Sequence, residues 1–336
     1  MLEHSMFSRV DVAIQFAIPF DHNIFVEREV LGLKMDIEIA GVSATLEFPS
    51  EQSGQCALAA PASTVRSIDK HLPDEAWGFN SDIEYIEVTS ALISLPAQIH
   101  LDFNLNEDQV SGYQELVQNV SDWWEAFCRW LWCITAQSLN PLHPDPKVIS
   151  RRSKKIITFV GSSEHSSIPA VASPIINVVI SGADVSAERL INTKVLKQAI
   201  HHIKFEVPLY LELFASARMA ARRGDSRRSI IDAGSAYETI LSSLLKLPVG
   251  HKLTLGVLVT EASKQGHTLP SDTKSAFVDL RNDAVHRAII PRYDQIIRAL
   301  EISEDLITSW DPQHIQLSSL KAFNRPQRQD LAWIRA

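Results

Sequence analysis

Cysteine is scarce in this chain, with three among 336 residues, at positions 56, 128 and 133. Three thiols build no disulfide framework, and their spacings match no paired-cysteine zinc site. Cys128 and Cys133 fall in a tryptophan-rich helical segment, where a thiol packs as a small apolar group. Long apolar runs are missing too. A membrane-spanning helix needs about 20 apolar residues, and the richest stretch, Trp123 to Leu139, is interrupted by Glu125, Arg129 and Gln137. The chain start carries Glu3 and Asp11 around a short apolar stretch, unlike the basic start of a secretory leader. Internal repeats and low-complexity tracts are absent. The expectation is a cytoplasmic protein that makes no contact with membranes.

Strong positive charge is also lacking. The net charge is −8, and it is unevenly spread. Residues 1–204 hold 15 Lys and Arg against 25 Asp and Glu, a balance of −10, whereas residues 205–336 hold 17 against 15, a balance of +2. Bulk attraction to a polyanion is therefore excluded, and any nucleic-acid contact must be local and on the C-terminal part. What is present is apolar material enough for a core: 45% hydrophobic residues in a chain long enough for two domains.

The periodicity divides the chain into an α+β region, 1–204, and an all-helical region, 205–336. In the first, Val10 to Phe20 and Met35 to Phe48 read as strands, the latter broken by a hairpin at Ala40-Gly41. Strand character returns at 83–88 and 98–103. Asn106 is placed to cap a long helix whose apolar residues, from Val110 to Ile134, recur at steps of three and four. Residues 139–154, with three prolines and a basic cluster, read as a linker. Strands at 155–160 and 175–181 and a helix at 188–205 follow. Beyond Val207 the pattern is helical throughout. Pro208 suits a first helical position, and Gly224 a stop after Arg222 and Arg223. Asp225 suits a cap for a helix striped with Ile230, Gly234, Tyr237, Leu241 and Leu244. Pro248 with Gly250, Pro270 with Ser271, and Pro291 punctuate three further helices.

Within the helical region, Arg281-Asn282-Asp283-Ala284-Val285-His286 holds the chemistry-bearing residues. An imidazole can act as base or acid near neutrality, and a guanidinium offers a fixed fork of donors to phosphate oxygens. Asn282 stands four residues before His286 and shares its helical face, so the amide can orient the ring or meet a ligand. Arg281 and His286 are five residues apart, roughly 140° around an ideal helix, and do not converge on one substrate atom. The bland alternative is a helix-end histidine bonded to terminal carbonyls, with Arg281 paired to Asp279, Asp283 or Asp294.

This Arg-polar-x-x-x-His pattern, with the helix pair at 217–245 before it and the stretch 255–290 that contains it, resembles HEPN domains. Those are helical bundles, many of them metal-independent endoribonucleases, and the resemblance covers about a third of the chain. It implies catalytic Arg281, Asn282 and His286, supporting Glu238 and Asp283, and a homodimer in which two motifs face each other. It implies no cofactor and no metal. RNA is the implied partner. Arg222, Arg223, Arg227 and Arg228 flank Gly224 and, with Arg287, are candidate phosphate contacts, the alternative for the cluster being a solvated pair of helix ends. Proteins of this kind act as toxins or in antiviral defence, so the N-terminal region is expected to sense a trigger ligand or protein. The alternative is a non-catalytic dimer that holds RNA or nucleotide as a binding or scaffold module.

The same spacing recurs at Arg66 to His71, in a segment broken by Pro61 and Pro73, so the motif counts only with its helical surroundings. His201-His202 lacks a third ligand and reads as surface. Asp145-Pro146-Lys147 lies in a proline-rich loop, and Gly161-Ser162-Ser163 lacks the Gly-Lys of a phosphate loop.

Overall fold

The computed structural model describes residues 12–52, 55–64, 77–80, 86–97, 107–137, 157–161 and 190–310. The chain is mixed α+β. It divides into two compact units: a sheet-containing one, residues 1–128, 139–182 and 190–200, and a helical one that includes residues 129–138 and 201–336.

The sheet unit is built on β1 (Val12–Val26), β2 (Lys34–Ile39), β3 (Val42–Glu47), β4 (Gly78–Asn80), β5 (Ile86–Ala97) and β6 (Ile157–Gly161). Its order is β2-β3-β5-β1-β6, with β4 alongside β5, and all the ladders are antiparallel. The β2–β3 hairpin turns at Ala40-Gly41, both with positive φ (50° and 79°), the backbone of a two-residue turn matched to strand twist. Strand β2 alternates, with Met35, Ile37 and Ile39 buried. The central strands do not. Ile14 to Ile18 and Ala91 to Ile93 are buried without a break, because inner strands are covered on both faces. That explains why a strand was expected at 83–88 and the run 89–97 was overlooked. The register of β1 against β5 shifts between Pro19 and Ile24, where proline cannot donate to the ladder. Buried Gln15 is satisfied by donating to the Ser63 carbonyl at 2.8 Å and to Ser94 Oγ at 3.2 Å. The expected strands at 98–103 and 175–181, the linker at 139–154 and the 66–71 pattern lie outside the described residues.

Helix α1 (Glu107–Thr135) follows the predicted apolar steps. Residues up to Cys128 group with the sheet unit and those from Arg129 with the helical unit. In the former, Trp124 lies 4.8 Å from Phe20 between ring centres. Helix α2 (Thr193–His202) is shorter than expected. Ile191 is drawn into a parallel bridge with Val26, and Asn192 caps the helix by accepting from Val195 N–H at 3.0 Å.

The helical unit contains α3 (Leu209–Arg222), α4 (Ser226–Leu244), α5 (Leu255–Lys264), a π-turn (Lys274–Asp279) running directly into α6 (Leu280–His286), and α7 (Tyr293–Trp310). Gly224 (φ 75°) ends α3, and the Asp225 side chain accepts from Arg228 N–H to start α4, as the sequence predicted. Among the described residues, no helix is long and apolar enough to cross a membrane.

The end of α1 is secured in this unit by side chains. A helix leaves its last carbonyls without partners inside the helix, and buried Arg218 donates to two of them, Ile134 at 3.2 Å and Thr135 at 3.4 Å. Trp130 Nε1–H donates to the Phe205 carbonyl at 3.0 Å, and Arg129 pairs with Glu212. His202, expected at the surface, is buried against the Trp130 ring at 5.1 Å, while His201 is exposed. Replacing Arg218 with Ala orphans these carbonyls and is expected to lower stability by about 2–3 kcal/mol in urea denaturation of the full chain. A loss below about 0.5 kcal/mol, the range of an ordinary surface change, would contradict the assigned role.

Candidate functional site

The site begins with a gap in α4. Gly234 lies mid-helix on the buried face, where a side chain is ordinarily found. A Cβ there would sit 2.8 Å from Arg281 Cγ and 3.3 Å from its Nε. The arginine stem therefore rests directly on the α4 backbone. One turn later Glu238 presents Oε2 to Arg281 Nη2 at 3.9 Å. Residues i and i+4 of one helix thus supply a slot for the stem and a counter-charge for the head. The Arg281 side chain is 24% exposed, and its Nε is buried with no hydrogen-bond partner. The long ion pair leaves the terminal nitrogens of the guanidinium able to take an anionic ligand.

The helix that carries Arg281 is held along its length. At its start, Arg298 grips Asp272 through two hydrogen bonds of 2.8 and 2.9 Å, holding the Asp272 carboxyl below the usual carboxylate range. In the middle, the π-turn and α6 bury Phe277, Val278, Leu280 and Ala284. The Phe277 ring packs on Tyr237 at 4.8 Å. Burial pushes the Tyr237 phenol up to about 12, so that hydroxyl stays neutral and serves packing. At its end, Arg227 Nε–H donates to the Ala284 carbonyl at 2.9 Å, and Ala288 turns the chain away with φ 54°.

A cavity of about 600 Å³ opens beside Arg281. Its walls bring together Glu238 with Arg281, Asn282, Asp283, His286 and Arg287, the residues singled out in the sequence motif. Arg281 and His286 both face this space, although the helix separates them by about 140°. Asn282 and His286 are exposed. Asp283 is bound to Arg287 at 3.1 Å. The other four arginines singled out are not among the lining residues. Arg227 braces α6, Arg228 pairs with Asp232 at 3.2 Å, Arg222 is half-buried and Arg223 is exposed.

A further part of the wall, which sequence reasoning missed, is the connection between α4 and α5. His251 Nδ1 accepts from Leu253 N–H at 3.2 Å, and its Nε2 lies 2.6 Å from Ser242 Oγ. The Ser242 hydroxyl donates to the Glu238 carbonyl at 2.6 Å, so its oxygen accepts from His251 Nε2–H. Lys252, the next residue, lines the cavity. No linear spacing connects this loop to a motif 30 residues later. An interior helical glycine was a readable signal of close approach, and Gly234 stood in the predicted stripe.

No family model, curated protein or solved structure matches this chain. The site therefore stands on its own geometry. Among the described residues, no three His, Cys, Asp or Glu side chains gather as a metal-ligand set. What the cavity offers is a fixed guanidinium, an accessible imidazole, an amide and a cationic rim. That combination suits binding an anion and moving a proton next to it.

The seating of Arg281 can be tested without reference to function. Alone, Gly234→Ala is expected to destabilise the chain by about 1 kcal/mol as its Cβ meets the Arg281 stem. In an Arg281→Ala background the same change is expected to stabilise by up to about 1 kcal/mol, the helix propensity of Ala over Gly. Equal effects in the two backgrounds would show that Gly234 and Arg281 do not interact.

Proposed function

We propose that this chain is a metal-independent endoribonuclease of the HEPN type, acting in the cytoplasm and regulated by its N-terminal region. The observation that carries the reading is the cavity itself, in which His286, Asn282 and a seated Arg281, held only by a long ion pair to Glu238, meet in one space. Transesterification of RNA asks for these groups. The ribose 2′-hydroxyl loses its proton to a base and its oxygen attacks the adjacent phosphorus. The bond from phosphorus to the 5′-oxygen breaks, and that oxygen takes a proton from an acid. The products are a 2′,3′-cyclic phosphate and a free 5′-hydroxyl. Arg281 is assigned to the charge that builds on the phosphorane oxygens, and His286 to proton transfer, with Asn282 orienting ring or substrate.

One motif supplies one imidazole, whereas base and acid are two roles. A homodimer that brings two motifs together supplies both. Exposed Val257 follows Gly256 of the cavity wall, and exposed Ile289 and Ile290 lie two and three residues beyond Arg287; these apolar side chains support docking of a second copy there. The acidic N-terminal region repels RNA and is assigned a sensing role, such as holding a toxin or an antiviral effector inactive until a trigger ligand or protein arrives. Binding of RNA without cleavage would instead favour a dimeric RNA- or nucleotide-binding module.

The test is cleavage of RNA by the purified full chain in EDTA, compared with His286→Ala. The expected result is chelator-resistant cleavage that falls by about 10²–10⁴-fold in the variant, with unchanged stability because His286 is exposed. Equal cleavage by both proteins would refute the assignment of His286.

A further inference from the structure

Three permanent cations line the cavity, and two of them are matched by carboxylates. Arg281 faces Glu238 at 3.9 Å and Arg287 faces Asp283 at 3.1 Å. Lys252 pairs with no carboxylate among the described residues and lines the same space. The uncompensated charge of the cavity thus sits on the α4–α5 connection and not on the motif helix. A surface lysine on a mobile connection would carry little meaning, since its charge is spread over many positions. This connection is pinned. His251 joins Leu253 N–H on one side to Ser242 on the other, and Ser242 closes on the backbone of Glu238. The Glu238 carboxylate is the counter-charge of Arg281. The loop and the motif arginine are therefore indexed to the same turn of α4.

We propose that Lys252 forms a second phosphate subsite of the cavity, taking a backbone phosphate next to the one held at Arg281, and that His251 is the positioning residue that holds it there. The proposal rests on the reading of the ligand as RNA. It also gives that reading a direction, because a strand entering the cavity meets both the motif helix and the loop wall. A volume of about 600 Å³ falls within the range of ordinary ligand sites, about 300–1,000 Å³, and holds a nucleotide unit. Charge on both walls explains how a chain of net charge −8 can take up a polyanion at one place.

The test is binding of a short single-stranded RNA carrying 2′-O-methyl groups, which cannot be cleaved, to the full chain across a series of salt concentrations. Lys252→Ala is expected to weaken binding about three- to tenfold and to reduce the slope of log affinity against log salt by about 0.7. Lys252→Arg is expected to keep that slope. His251→Ala is expected to weaken binding in the parent chain and to have no further effect in the Lys252→Ala background, since it acts through that lysine. An unchanged slope in Lys252→Ala would overturn the subsite, and additive losses would overturn the positioning role of His251. If the parent chain binds no RNA, inorganic triphosphate is the second probe. Lys252-dependent binding of triphosphate supports the phosphate subsite and refutes the RNA reading, whereas binding of neither probe overturns both.

Discussion

An arginine side chain can lie half-buried across a helix only where that helix offers no side chain of its own. At Gly234 the missing Cβ opens such a place, and the Arg281 stem fills it. Everything else in the site follows from this close approach. It sets the separation of α4 and α6 and lines the guanidinium up with Glu238 one turn along. It also leaves Nε buried without a hydrogen-bond partner. Glycine within a helix is unfavourable by about 1 kcal/mol relative to alanine. A chain that keeps one here, in a helix otherwise striped with Ile230, Tyr237 and Leu241, gives up local stability for the position of one cation.

The remainder of the helical unit keeps that position rigid. The motif helix is clamped at its start by the Arg298–Asp272 fork, packed at its middle through Phe277 on Tyr237, and held at its end by Arg227. The π-turn that precedes α6 is a known companion of functional sites, because one extra residue re-aims the helix that follows. The end of α1, with Arg218 on its terminal carbonyls, is built into the same unit. A fragment that begins near residue 205 would lack the buried Trp130 and the carbonyls that Arg218 satisfies. The helical unit is thus assembled from separated stretches of the chain.

Much of this was legible in the sequence where a local rule governs. The Ala40-Gly41 hairpin, the Gly224 stop and the Asp225 cap appear where turn and capping chemistry place them, and the long helix lies where apolar periodicity places it. The motif residues, with Glu238 and Arg287, were identified from spacing and resemblance, and they share one cavity. The failures have a common physical origin. The 89–97 part of β5 shows no strand signal because burial on both faces erases alternation. Arg227 was read as a ligand contact, although its length lets it reach a carbonyl 57 residues away. The lack of a third ligand makes His201-His202 read as surface, yet His202 turns inward against Trp130. The loop wall with His251 and Lys252 was invisible, since only tertiary packing brings it to the motif.

The central claim is that a single cavity, lined by the motif helix and the α4–α5 connection, is where RNA binds. The most direct measurement is photo-crosslinking of a short single-stranded RNA to the full chain, followed by mass spectrometry of the crosslinked peptides. The account predicts crosslinks in two peptides far apart in sequence, one spanning residues 248–256 and one spanning 279–287, both lost on competition with unlabelled RNA. Crosslinks confined to the sheet unit, or to the arginines at 222–228, would contradict it.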